Sequence, residues 1–423
     1  MANRQRLLGV SAVAGAALAI SAQLLGAQQL NGKLIQRAIP SSGEMLPVIG
    51  LAFSNHPSCS DKAALTDVVK TFAANGGKYF DNTLGNGANQ QFHINAANEL
   101  GVTSKVFWST PGFLSGSNAG RAGVKTQLDS TLARLKVPRI DVAWVNAAAD
   151  TALLAALKEE KKAGRIRYIG ALTIVAKNQS AQLEALMRNE SLDFIGVDYD
   201  IGNRHVEETI LPLARERKIA VIAYFPFGNN YGASCSSGGN LFARVGNRPV
   251  PTWAAEFDAK TWAQFFAKYV LADPAVTVAR VGTSKVTHML DNMAGGVGRL
   301  PNAAARKRMA ALIDSLPKPT PPAPPPNSPA APGIALSTAV LDRYVGEWKL
   351  ASGTVVSFRR DGDKLIVKAG NNPELPLNAR TETRLQDPRG PMFEWQVDAQ
   401  GNVTGLMLEQ GNPLQRIPLQ RNR

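Results

Sequence analysis

Between residues 45 and 315, short apolar runs alternate with longer stretches in which apolar positions recur three and four apart. Eight of these runs read as strands: residues 46–51, 78–81, 105–110, 141–145, 166–170, 193–198, 219–224 and 275–280. Helical spacing fills the gaps. Leu65, Val68, Val69 and Phe72 share one face, as do Val124, Leu128, Leu132 and Leu135, and Val206 and Ile210 begin a third stripe before Leu213. Eight strand–helix repeats in about 270 residues predict an α/β chain folded as a closed (β/α)8 TIM barrel. An open doubly wound sheet needs a glycine-rich turn after its first strand, and no GxGxxG follows residues 46–51. In such a barrel, ligands meet the chain where strands end and loops begin. That rule picks out Asp81, Thr110, Asn146, Thr173, Asp200, Phe225 and Gly282 as a candidate ring.

The pattern changes at both ends. After residue 336 it becomes period two, with Val356 and Phe358, Leu365 and Val367, then Phe393, Trp395 and Val397. Turns are expected at Asp361-Gly362, Gly370-Asn371 and Gln400-Gly401, so residues 336–423 read as a small antiparallel β domain. Nine prolines in the seventeen residues from Pro317 to Gly333 exclude a helix or an interior strand, which makes 317–335 an extended tether. At the other end, Arg4 and Arg6 precede an almost uncharged apolar stretch from Leu7 to Leu25. Residues 1–30 therefore read as a signal peptide or an N-terminal membrane anchor, leaving 31–316 for the barrel. Export to the periplasm or exterior is the expectation, with anchoring at the membrane as its variant.

Composition narrows the classes. With 44% hydrophobic and 19% charged residues, the chain is neither a disordered polymer, a collagen-like repeat nor a polytopic membrane protein. Lys and Arg outnumber Asp and Glu by 47 to 33, a formal charge of +14. Only a small share lies after residue 340, where twelve basic residues face ten acidic ones, so the excess belongs to the barrel. It favours a small anionic partner. No run of five like charges or interleaving with aromatics marks a nucleic-acid surface, and none is expected. Cys59 and Cys235 allow at most one disulfide, and the four histidines show no HExxH spacing, so no metal is expected. A nucleophile in the glycine- and serine-rich stretch 227–242, with Cys235, would need a base. His56 and His93 are the nearest by topology, and no GxSxG elbow occurs.

Five segments carry a resemblance: IPSSGEMLPVIGL at 39–51, YFD at 79–81, GRIRYIG at 164–170, IAVIAYFPFG at 219–228 and VGTSKVTHMLDN at 281–292. Together they resemble the aldo/keto reductase family over about residues 34–313. The resemblance implies a (β/α)8 barrel that binds NADP(H) in extended form across its strand ends and passes hydride to a carbonyl. The turn Gly282, Thr283, Ser284, opening a helix with Lys285 beside it, also has its own reading as a phosphate receptor, the alternative being a plain capped turn. By the resemblance, Thr283, Lys285, His288, Asp291 and Asn292 suit the phosphate and adenine half. Tyr224 stands where a ring stacks on nicotinamide in some branches of the family, or simply packs the barrel rim.

The family's chemistry uses a tyrosine as proton donor, a lysine that lowers its pKa, an aspartate paired with the lysine, and a histidine that orients the substrate. Asp81 matches the aspartate. The tyrosine position holds Asn86, with Gln90 where a glutamate occurs; the lysine falls on Pro111 and the histidine on Asn146. Groups that hold the carboxamide match Leu172, Thr173 and Gly196. An amide cannot release a proton near neutral pH, and proline cannot replace an ammonium. The residues thus predict impaired hydride transfer with NADP(H) or another anionic ligand still bound. The alternatives are an active oxidoreductase using substituted groups and a non-catalytic module that recognises an envelope component. For the last, the C-terminal domain, with YVGEWKL at 344–350 and GNVTGLMLEQGN at 401–412, faintly resembles accessory β domains of exported serine-hydrolase-like proteins. Tyr344 and Trp348 there either anchor a core or line a groove.

Overall fold

The apolar runs are rich in β-branched and aromatic side chains on both faces, as strands buried on two sides require. The structure, a computed structural model, describes residues 29–53, 61–81, 88–109, 121–146, 151–173, 180–228, 240–317, 333–350, 353–370, 374–388, 390–410 and 415–422. It divides into two units, Met1–Pro319 and Thr320–Arg423. Residues 1–28 of the expected signal or anchor, residues 318–332 of the proline tether, the two cysteines, Asn86, Thr110 and Pro111 lie outside the described residues. No helix among the described residues is long and apolar enough to cross a membrane.

The first unit opens with a hairpin of β1 (Gln36–Ala38) and β2 (Met45–Pro47), then runs β3 (Ile49–Ala52), α1 (Lys62–Ala74), β4 (Tyr79–Asp81), α2 (Ala88–Glu99), β5 (Phe107–Ser109), α3 (Arg121–Leu135), β6 (Ile140–Asn146), α4 (Thr151–Lys162) and β7 (Ile166–Leu172). It continues through α5 (Ser180–Asn189), β8 (Phe194–Asp198), α6 (Ile210–Glu216), β9 (Ala220–Tyr224), α7 (Asn240–Val245), α8 (Trp262–Leu271), β10 (Val276–Val281), α9 (Val286–Ala294) and α10 (Ala303–Ser315). β3 to β10 form a closed parallel barrel in chain order, with β10 pairing back onto β3. The run at 46–51 is thus two elements, a hairpin arm and a barrel strand. The third helical stripe is also split, because Val206 lies in a separate 3-10 turn (His205–Glu207) before α6.

Strand alternation sorts the side chains into two layers. Leu51, Phe80, Trp108, Val145, Ile169, Val197, Ala223 and Val281 face the surrounding helices and share their core. Tyr79, Phe107, Trp144, Tyr168, Phe194, Tyr224 and Val278 fill the barrel itself. The hairpin adds Ile39 and Leu46 to that inner cluster. Arg167 holds the hairpin in place, donating to Asp141 at 2.7 Å and pairing with Glu44, while the Tyr168 hydroxyl lies 2.8 Å from Ser42 and 2.9 Å from Glu44.

The second unit comprises α11 (Thr338–Tyr344), β11 (Gly346–Lys349), β12 (Val355–Asp361), β13 (Lys364–Ala369), β14 (Leu375–Pro376), β15 (Asn378–Ala379), β16 (Arg384–Gln386), β17 (Met392–Val397), β18 (Val403–Gln410) and β19 (Gln415–Arg421). The antiparallel ladder runs β14-β13-β12-β11-β19-β18-β17-β16-β15. Its two outermost members flank Leu377, whose N–H donates to Leu365 O at 2.8 Å. They act as one bent strand that joins both edges, so the sheet closes on itself as an up-and-down barrel and exposes no long edge. Tyr344 stacks on Trp395 at 4.6 Å within a core shared with Trp348, Phe358 and Phe393, which makes Tyr344 and Trp348 core residues. Ile334 already belongs here, since its N–H donates to Ala379 O at 2.8 Å.

Candidate functional site at the barrel mouth

Asp81, the last residue of β4, is fully buried at the C-terminal end of the barrel. Its Oδ2 accepts hydrogen bonds from the Tyr224 hydroxyl at 2.9 Å, the Tyr79 hydroxyl at 3.2 Å and Ser109 Oγ at 3.4 Å. Ser109 is its register partner on β5 and itself accepts from Trp144 Nε1 at 2.8 Å. The other carboxylate oxygen, Oδ1, lies 3.3 Å from Nε of Arg280. Arg280 comes from β10, opposite Gly50 of β3, and its guanidinium carbon sits 4.8 Å from the centre of the Tyr224 ring.

Glycines make this arrangement possible. A Cβ at Gly50 would lie 2.6 Å from Tyr79 Cδ1, and one at Gly170 would lie 2.5 Å from the Trp144 ring. A Cβ at Gly196, where the resemblance expects an amide-holding glutamine, would meet Leu172 Cδ2 at 2.5 Å and Tyr224 Cε2 at 2.7 Å. A side chain at residue 196 and the inward seat of Tyr224 therefore exclude each other.

The electrostatics oppose proton donation. Burial, reinforced by Tyr224 and Asp81, holds the Tyr79 phenol well above its ordinary pKa, and the Ser109 hydrogen bond and Arg280 offset only part of this. A phenol that gives its hydrogen to a carboxylate is held in its neutral form. Across the mouth, burial pushes Asp200 up to about 7, an effect offset by the Gly202 N–H at 2.6 Å and reinforced by Asp198. Asn146 ends β6 half-buried, Thr173 is buried, and Phe225 takes a left-handed backbone with φ of 54°, a strained conformation for an aromatic residue.

The remaining candidates lie along the turn after β10 and on α9. Lys285 is the N-cap of α9, with no side chain capping the first turn, and its N–H donates to Thr283 Oγ1 at 3.1 Å. Gly282, Lys285 and His288 are exposed; Thr283 and Ser284 are half-buried. Asp291 serves the neighbouring helix, accepting from Thr261 Oγ1 at 2.9 Å and Gln264 Nε2 at 2.7 Å. Asn292 is buried beside it in the chain. Among the described residues no group of three His, Cys, Asp or Glu side chains could hold a metal ion.

The aldo/keto reductase family model matches residues 48–303, which include all eight strands of the closed barrel. The chain belongs to the aldo/keto reductase family. Among solved structures, the holo form of a Bacillus halodurans aldo-keto reductase matches at 18% identity and TM-score 0.52, covering 66% of this chain and 96% of that one. A thermostable aldo-keto reductase in complex with the inhibitor epalrestat matches at 19% identity and TM-score 0.52, covering 66% and 100%. A Klebsiella pneumoniae aldo/keto reductase solved with NADP and acetate matches at 16% identity and TM-score 0.49, covering 64% and 93%. At such identities the likeness is one of fold.

Within this aldo/keto reductase barrel, sequence reasoning chose Asp81 and Tyr224 and missed Arg280, Tyr79, Ser109 and Trp144. Arg280 did leave a signal, because it shares the inward phase of Val278 on a mostly apolar strand. The residues fit an NADP(H) cofactor at one end only. The uncapped helix start with Thr283, Ser284 and Lys285 suits the phosphates. At the other end, Arg280 covers the Tyr224 ring and sets its charge beside Asp81, an arrangement that does not fit the nicotinamide end.

Proposed function

We propose that the protein is an exported aldo/keto reductase-family protein that has lost ordinary carbonyl reduction and keeps its barrel mouth for NADP(H) or another small anionic ligand. The observation that carries this reading is the pairing of Asp81 with Arg280 and the Tyr224 hydroxyl. In the family's chemistry the cation beside the aspartate makes a phenol more acidic, and bound NADPH supplies the hydride. Arg280 supplies the charge from another strand, while the Tyr79 and Tyr224 phenols point their hydrogens at Asp81 instead of at a substrate. Arginine itself cannot act as an acid near neutral pH. General acid catalysis is worth about 10² to 10⁴ in rate, so its loss is enough to suppress turnover on a bound carbonyl. The phosphate-receiving turn keeps its polar and cationic groups, and the basic excess of the barrel favours an anion.

Titration of the purified protein with NADPH, followed by tryptophan fluorescence, is expected to give saturable binding. Oxidation at 340 nm with a panel of aldehydes and quinones is expected to stay at the free-cofactor background. Turnover above that background rejects the loss of reductase chemistry, and absence of binding shifts the reading to an envelope interaction module. For export, cell fractionation is expected to place the mature chain outside the cytoplasm.

A further inference from the structure

Two arginines are buried among the described residues, and they use their donors differently. Arg244 directs Nε and one terminal nitrogen at Leu316 O, at 3.4 and 3.2 Å. Arg280, 6% exposed, makes no hydrogen bond to a described residue, and its buried Nε has no hydrogen-bond partner. The 3.3 Å approach of that Nε to Asp81 is an ion-pair contact whose direction does not suit a hydrogen bond. Asp81 meanwhile has three hydroxyl donors on its other oxygen. A guanidinium carries five N–H donors in a rigid fork, and a buried donor left without an acceptor destabilises the fold. A methionine or leucine would fill the same place without that cost.

We propose that Arg280 is the receptor for a small carboxylate that enters the barrel mouth, its two oxygens accepting from the terminal nitrogens of the guanidinium. Three features select this class. The fork of an arginine matches a planar carboxylate in bidentate fashion. The Tyr224 ring, 4.8 Å from the Arg280 guanidinium carbon, belongs with Leu172 and Trp144 to one apolar and aromatic cluster, surroundings that suit a ligand with one anionic end and an unsaturated or aromatic body. The site stands at the strand ends, where a barrel of this kind places ligands, and on the strand that leads into the Gly282–Lys285 turn. Asp81 approaches the guanidinium at Nε, with its Oδ2 held by three hydroxyl donors, and so leaves the two terminal nitrogens for a second acceptor. The proposal rests on the reading that the mouth is kept for binding, and it names a ligand class at a residue apart from the phosphate turn.

Benzoate serves as the probe, with benzamide as the neutral analogue of the same shape and inorganic phosphate as a second anion, each titrated calorimetrically into the full chain. Benzoate is expected to bind saturably and at least about tenfold more tightly than benzamide or phosphate. Arg280→Met is expected to weaken benzoate binding about ten- to hundredfold. Arg280→Lys, which keeps the charge but loses the fork, is expected to fall between and covers the case in which the methionine variant fails to fold. No binding of benzoate by the wild-type chain, equal affinity for benzamide, or undiminished binding in a folded Arg280 variant overturns the proposal. The parallel NADPH titration separates the two ideas: benzoate binding without NADPH binding keeps Arg280 as a receptor and discards the cofactor reading, and the reverse result does the opposite.

Discussion

Asp200 shows how far a single side chain at the mouth departs from its solution behaviour. It is 4% exposed, and its carboxyl is pushed up to about 7 chiefly by burial. The sign of the consequence follows from proton counting. Between the unfolded value of 3.8 and the folded value of about 7, the folded chain binds more protons than the unfolded one, so stability falls as pH rises through that window. Asp200→Asn removes the titration and keeps an acceptor for the Gly202 N–H. The variant is expected to be more stable than the wild type by about 4 kcal/mol at pH 8 and to lose most of that advantage near pH 4. Urea denaturation at the two pH values reads it; a gain that is the same at both would show that Asp200 is not the titrating group. Asp200 stood in the candidate ring from its strand-end position alone. Its raised pKa was not legible, because burial beside Asp198 depends on how the turn of residues 200–203 folds back, with the Asn203 N–H donating to Asp200 O at 3.0 Å.

At the scale of elements, α9 divides its polar residues between two tasks. Lys285 and His288 are exposed near its start, whereas Asp291, one turn further on, is tied to Thr261 and Gln264 at the beginning of α8. The two ends should therefore respond to mutation in opposite ways. Lys285→Ala is expected to weaken NADPH binding about tenfold with the melting temperature unchanged, since an exposed cation contributes little to folding. Asp291→Ala strands two donors and is expected to cost about 1–3 kcal/mol of stability with little effect on NADPH affinity. Fluorescence titration and thermal melting of both variants decide this, and a loss of affinity in Asp291→Ala that matches the one in Lys285→Ala would return Asp291 to the ligand. The eight strands were legible because their apolar runs are separated by helices of clear period, as Leu65, Val68, Val69 and Phe72 illustrate. The split within residues 46–51 was not, because Met45–Pro47 and Ile49–Ala52 read as one continuous apolar run. Arg280 was hidden for a related reason. Its charged partner Asp81 comes from β4, and no spacing along the chain reports a contact between strands so far apart in sequence.

Over the whole molecule, the C-terminal unit departs most from what its pattern announces. Period-two alternation was enough to predict antiparallel strands, but closure depends on the five residues Leu375–Ala379, where Pro376 breaks the run that a strand signal needs. That bent strand pairs with β13 through its first half and with β16 through its second, which converts an open sheet with two edges into a ring. Closure has an energetic meaning, because a domain of about 90 residues buries a smaller share of its surface than a larger one and has little stability to spare for exposed ladder groups. The aromatic core of Tyr344, Trp348, Phe358, Phe393 and Trp395 lies entirely within residues 338–419. Residues 333–423 expressed alone are therefore expected to unfold cooperatively and to show a strong near-UV circular dichroism signal from the stacked Tyr344–Trp395 pair. Trp395→Leu should abolish that signal while keeping the far-UV β spectrum. An isolated domain with β structure but no near-UV signal would mean that the sheet forms without its core, and that closure by the Leu375–Ala379 strand does not suffice to order it.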